Sequence, residues 1–269
     1  MNQKSENRKE SIDALANKFM HALYEGYWQG EAAPPITSLS IAEAYQVQDL
    51  VADMRIQRGE EIVGFKVGCT SDAIRTQFGL SEPISGRLFK PYIHEGGSVI
   101  DWNNYVDCAI EPEMVLVIGE DLSGLELSDD CLINAIEYVS PGIELHNYRF
   151  WYGQASIQEL ICSGGIHAGL VVGNSKFSPK KFSYKDELFS VYKDEKLITD
   201  APAREIMGGP IHSLRWLVDS LTQRGSCLKM GSYVIPGSPV ELIRIEQNCE
   251  LKVEIEGFGS VLTHFTEGK

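Results

Sequence analysis

The chain has 269 residues, 43% of them hydrophobic, and carries 24 basic against 38 acidic side chains for a net charge of −14. That length can bury one large core, or a main domain and a small one, and the composition excludes wholesale disorder. The negative balance excludes a broad phosphate-backbone partner such as nucleic acid, and no run approaches the roughly 18 apolar residues of a membrane span.

The polar opening MNQKSENRKE lacks the apolar stretch of a secretory signal, so the expected setting is cytoplasmic. Six scattered cysteines with no CxxC pair fit reduced, mostly buried thiols better than a disulfide framework or a zinc site. Residues 11–24 place Ile12, Leu15, Phe19 and Leu23 at helical spacing, and Gly26 and Gly30 close that helix. A second helix is predicted to start at the capping box Ser40-Ile41-Ala42-Glu43 and to end at Gly59. Pro34-Pro35 separates the two. Residues 1–60 therefore read as an N-terminal helical region and residues 61–269 as the main domain.

After Gly59 the texture changes to short strands, at 62–67, 106–118 and 169–172, separated by Gly, Pro and Asn. Residues 189–198 read as a hairpin turning at Asp194-Glu195, and segments 240–245, 251–255 and 261–265 as a closing meander. Helices are predicted at 128–138 and at 210–223, the second with Ile211, Leu214, Leu217, Val218 and Leu221 on one stripe. Runs of strands with few helices argue for an α+β fold with a mixed, strongly curved sheet rather than a doubly wound one.

The stretch IEPEMVLVIGEDL from Ile110 to Leu122 puts two carboxylates, Glu111 and Glu113, ahead of a buried-strand pattern. Side chains two apart on a strand share a face, so these charges sit side by side. Two readings follow: a solvated strand end, or part of an oxygen-ligand metal site. Pro112 between them has no N–H, which suggests a sheet edge or a strand start. A third acid, Glu144, lies in the strand-like segment YVSPGIELHN, and Lys66 lies inside GFKVGCTS. Three carboxylates with no neighbouring cysteine favour Mg²⁺ or Mn²⁺ over Zn²⁺. A lysine facing them could carry a proton or hold an anionic substrate.

In order, GFKVGCTS, the Gly86-Arg87-Leu88-Phe89 turn, EPEMVLVIGEDL, PGIELHNYR, HAGLVVG and VIPGS resemble the signatures of the 2-keto-4-pentenoate hydratase and 2-oxohepta-4-ene-1,7-dioate hydratase group, within the fumarylacetoacetate hydrolase superfamily. The resemblance spans residues 41 to 265. It implies a fumarylacetoacetase-like β-roll behind the helical region, with a divalent cation, Mg²⁺ or Mn²⁺, on Glu111, Glu113 and Glu144. It also implies Lys66 as the acid–base group, with substrate contacts at Ser71, Gly86, Leu88, Arg149 and Ser238. The chain departs from the pattern at Ser163-Gly164, where Asp-Asn is common, at Asn147, where an Asp is usual, and at Ser85, where an aromatic is common. Ser163 therefore stands where a catalytic Asp would, and His167 is the candidate to take over its proton.

The implied activity is hydration of a 2-hydroxy-2,4-dienoate to a 4-hydroxy-2-oxo acid, with a small 2-oxo acid as ligand and a homo-oligomer as the working form. The same site could serve a 4-oxalocrotonate-type decarboxylase. It could also serve an acylpyruvate C–C hydrolase, for which His146 and His167 are the histidines nearest in sequence. A non-catalytic descendant acting as a subunit partner is the reading from another class; retention of Lys66 with all three acids argues against it.

Overall fold

A computed structural model describes residues 2–28, 36–147 and 155–267, with side chains from residue 11 onward. Two helices open it, α1 (Asn2–Glu25) and α2 (Ile41–Gln57). The capping box at Ser40 and Glu43 is formed, so two of the orphan donors at the start of α2 are satisfied. Ile12, Leu15 and Phe19 of α1 pack on Ala44, Val47 and Val51 of α2, and this cluster continues into Ile84 and Ile161. Gln48 reinforces the junction: its buried amide donates to Ser85 O at 3.0 Å and Ile161 O at 2.6 Å.

The main sheet takes strands β1 (Ile62–Gly68), β2 (Ile84–Phe89), β3 (Ile93–Glu95), β5 (Cys108–Ile118), β6 (Ile136–Asn147), β7 (His167–Val172) and β10 (Tyr233–Ile235). Their order is β2-β1-β10-β5-β6-β7-β3, with β11 (Ile243–Arg244) added on β5. Most pairs are antiparallel, but β1–β10 and β3–β7 are parallel, so the sheet is mixed. A second sheet runs β4-β13-β12-β8-β9, from β4 (Val99–Asp101), β8 (Leu188–Lys193), β9 (Lys196–Pro202), β12 (Cys249–Ile255) and β13 (Gly259–Thr266). The β8–β9 hairpin turns at Asp194 and Glu195, both with positive φ, as a two-residue turn of matching twist requires. The α+β class and the strongly curled sheet follow the expectation.

Strand β5 divides the interior. Its even-numbered side chains, Ile110, Met114, Leu116 and Ile118, join Phe189, Val253 and Phe265 of the second sheet in the large core. The helix at Pro210–Gln223 covers that core with the predicted Ile211, Leu214, Leu217, Val218 and Leu221 stripe. Its odd-numbered side chains, Val115 and Val117, face a smaller cluster with Leu88, Leu170 and Ile235. The acids lie on this second face.

Three local expectations are corrected. The helix predicted over 128–138 is only Asp129–Asn134, because Ile136 onward extends β6. The strand predicted over 240–245 shrinks to Ile243–Arg244. Pro112 lies at neither an edge nor a strand start. It sits mid-strand, where the neighbours of β5 on one side skip from Ile110, paired with β11, to Leu116, paired with β10. A proline is tolerated at such an interruption. Among the described residues, no helix is long and apolar enough to cross a membrane.

Candidate metal centre

The antiparallel register of β5 and β6 sets Glu111 directly opposite Glu144, with Ala109 opposite His146 and Glu113 opposite Gly142. Period-two alternation then puts Glu111, Glu113, Glu144 and His146 on one face. Gly142 leaves room there, since a Cβ on it would stand 2.5 Å from Val115 Cγ2.

Glu144 is fully buried, and its two oxygens have different surroundings. Oε1 accepts from Lys66 Nζ at 2.5 Å and lies 2.7 Å from His167 Nδ1. Oε2 lies 3.2 Å from His146 Nε2 but has no hydrogen bond. His146 Nε2 also stands 3.1 Å from Glu111 Oε2. Glu111, 21% exposed, is the member that reaches solvent. Glu113 lies deeper: Oε2 accepts the Gly237 N–H at 3.1 Å, and Oε1 has no partner.

Burial pushes the Glu113 carboxyl well above the usual carboxylate range, and the charges of Glu144 and Glu111 add to this. Burial acts on Glu144 in the same sense, but the charges of His146 and Lys66 and the bond from His167 outweigh it, and Glu144 sits well below the usual range. Burial works against the Lys66 ammonium; the charges of Glu144 and Glu111 prevail and raise it. His167 is lowered by burial. Among the described residues the face thus holds three carboxylates against one lysine, with buried oxygens left unsatisfied, which fits a hard dication. Glu111, Glu144 and His146 offer ligand atoms within 4.8 Å of one another.

A β-bulge between β6 and β7 supplies His167. The register runs Glu144 with Leu170 and Leu145 with Gly169, then jumps to His146 with His167. The skipped residue reverses the alternation of β7 and turns His167 toward the acids. Gly165 O, from the preceding loop, lies 3.5 Å from Lys66 Nζ.

A cavity of about 530 Å³ opens beside Glu111, walled by Val67, Thr70, Ser71, Gly237, Ser238 and Leu242 among others. Ser71 and Ser238 reach it, although each hydroxyl is also engaged locally, Ser71 capping the helix at Asp72–Phe78 and Ser238 bonding Val240. Gly86 and Leu88 do not line it. Leu88 is fully buried, and Gly86 passes so close to Gly164 that a Cβ would meet the Gly164 carbonyl oxygen at 2.4 Å. The Ser163 hydroxyl donates to Leu160 O and accepts from Ile166 N, both 3.1 Å, within its own turn. Arg149 lies outside the described residues. The sequence reading gave His146 no place among the ligands, although its position two residues after Glu144 on a strand was the available signal.

No family model matches the chain. Curated relatives do. A 4-oxalocrotonate decarboxylase from a Pseudomonas species is 28% identical over 248 residues, 91% of this chain and 96% of that protein. The TodF product hydratase of Pseudomonas putida is 26% identical over 249 residues, 91% of this chain and 93% of that protein. The 2-keto-4-pentenoate hydratase of Burkholderia vietnamiensis is 25% identical over 224 residues, 83% and 86% of the two chains. The chain is a relative of the 2-keto-4-pentenoate hydratase and 4-oxalocrotonate decarboxylase group. Its fold agrees with that group: the 4-oxalocrotonate decarboxylase of Pseudomonas putida G7, complexed with magnesium and adipate, superposes with a TM-score of 0.90 at 24% identity over 96% of this chain and 98% of that one. A fumarylpyruvate hydrolase from Pseudomonas aeruginosa, in complex with Mn²⁺ and pyruvate, gives 0.56 at 13% identity over 76% and 89% of the two chains.

Proposed function

We propose that the chain is a divalent-cation-dependent lyase of small 2-oxo acids, and that its reaction is hydration of a 2-hydroxy-2,4-dienoate. One observation carries this: Glu111, Glu113, Glu144 and His146 share one sheet face, with buried carboxylate oxygens unsatisfied and Lys66 paired to Glu144. Glu111 and Glu144, with Glu113 behind them, would hold the cation. When bound, it would supply a Lewis acid that draws in the substrate's carboxylate and 2-oxo oxygen and stabilises the charge that builds there.

The remaining steps belong to side chains. Lys66 holds a proton at Nζ against Glu144, at a depth where water does not compete, and can pass it to the conjugated chain. His167, on the other side of Glu144 Oε1, fixes that carboxylate's orientation and can hold the second proton. The cavity beside Glu111 receives the rest of the molecule, with Val67, Ile74 and Leu242 offering an apolar wall.

Decarboxylation of a 4-oxalocrotonate-type diacid is the second reading, favoured by the 28% identity and the 0.90 TM-score to enzymes of that name. The working form we propose is a homo-oligomer, supported by the exposed Leu197 and Ile198 on the edge strand β9. The test is turnover of 2-hydroxypenta-2,4-dienoate and of 4-oxalocrotonate with Mg²⁺ or Mn²⁺, in wild type and in Glu144→Gln. Turnover of the first that falls at least a hundredfold in the variant supports the hydratase. Turnover of the diacid alone selects the decarboxylase. No turnover of either in wild type refutes both.

A further inference from the structure

We propose that His146 is itself a ligand of the cation, so that this centre is a mixed nitrogen and oxygen site selective for a first-row transition dication over Mg²⁺. This rests on the metal reading above and names the class of metal.

The geometry comes first. In an octahedral shell with metal–ligand bonds of about 2.1 Å, adjacent ligand atoms stand about 3.0 Å apart. His146 Nε2 is 3.1 Å from Glu111 Oε2 and 3.2 Å from Glu144 Oε2. His146 Nε2 therefore already stands at the spacing of a neighbouring corner from each of the two carboxylate oxygens.

Glu144 supports the same placement. Its Oε1 is taken by Lys66 and His167, whereas Oε2, on a fully buried side chain, is turned toward His146 without a hydrogen bond. A carboxylate held this way has one oxygen fixed by second-layer partners and the other free for a cation.

The histidine argues in turn. His146 is 2% exposed, and a bare Nε2 lone pair facing two carboxylate oxygens at about 3 Å would be repelled. Either Nε2 carries a hydrogen, on a neutral or a protonated ring, and donates it to one of these oxygens, or a metal ion lies between them, coordinated by all three. Nδ1 has no partner among the described residues, so no hydrogen bond there selects the tautomer.

Imidazole decides the metal class. Mg²⁺ takes oxygen ligands almost exclusively, whereas nitrogen donors raise affinity for Mn²⁺, Fe²⁺, Co²⁺ and Zn²⁺ in increasing measure. Replacing an oxygen corner by nitrogen therefore shifts preference without changing the count of charges.

The test uses the full chain stripped of metal, with Mg²⁺, Mn²⁺ and Co²⁺ as probes. Titration calorimetry on wild type and His146→Leu should show Co²⁺ affinity falling at least tenfold and Mg²⁺ affinity changing less than threefold. Pulsed electron paramagnetic resonance of the Mn²⁺-loaded wild type should show nitrogen modulation that is absent from the variant. The spectroscopic arm on wild type needs no variant, and His146→Gln repeats both measurements should the leucine variant fail to fold. Cation binding without nitrogen modulation, and with equal Co²⁺ affinity in the variants, makes His146 a hydrogen-bond donor to the carboxylates and overturns this inference while leaving the metal reading in place. No binding of any of the three ions to wild type overturns both.

Discussion

Replacing Lys66 by Met removes the lysine paired with Glu144 on the acid face while keeping most of the aliphatic stem. In wild type, Nζ stands 2.5 Å from Glu144 Oε1, with the two side chains 3% and 0% exposed. Deleting one partner of such a buried pair costs about 3–5 kcal/mol, because the other charge is left without compensation. His167 still bonds Oε1 at 2.7 Å, which places the expected loss at the lower end, about 3 kcal/mol. Urea unfolding of the metal-stripped protein reads this directly. Added Mn²⁺ should then act in the opposite sense. A cation at a hundred times its Kd contributes about 2.7 kcal/mol, and the variant should bind it more tightly than wild type, since a positive neighbour has gone. The stability gap should therefore narrow on loading, even as turnover falls by about a hundredfold or more. A Lys66→Met protein as stable as wild type in EDTA, with unchanged Mn²⁺ affinity, would refute both the buried pair and its coupling to the centre.

Ser163→Ala should lower turnover less than threefold, because both hydrogen bonds of the hydroxyl stay within its own turn; a loss near a hundredfold would return Ser163 to the reacting groups. Gly86→Ala should cost about 1–3 kcal/mol in chemical denaturation, since its Cβ would meet Gly164 O at 2.4 Å and backbone must move on both sides; wild-type stability would show that the two segments are not in close contact. Gln48→Leu should destabilise by about 1–3 kcal/mol through the loss of its hydrogen bonds to the buried Ser85 and Ile161 carbonyls and of the one it accepts from Arg87, and an unchanged midpoint in urea would mean that water replaces them.

Much of this protein is written in its local sequence. Period 3.6 marks the Ile211 to Leu221 stripe, the Ser40 and Glu43 pair marks the start of α2, and Asp194-Glu195 marks a hairpin turn. Each depends on residues a few positions apart. Period two also places Glu111 beside Glu113, and Glu144 beside His146, before any fold is known. What those pairs face is another matter. Only the register of β5 against β6 brings Glu111 opposite Glu144, and only the gap between β10 and β11 accommodates Pro112 in mid-strand. The 128–138 helix is lost from Ile136 onward because pairing with β5 outweighs local helical preference. His167 shows the limit most plainly. Counted from Leu170 at period two, it belongs on the face away from the acids, and the bulge opposite His146 reverses that count. A bulge is set by how two strands distant in sequence meet, so the alternation along one strand carries no trace of it.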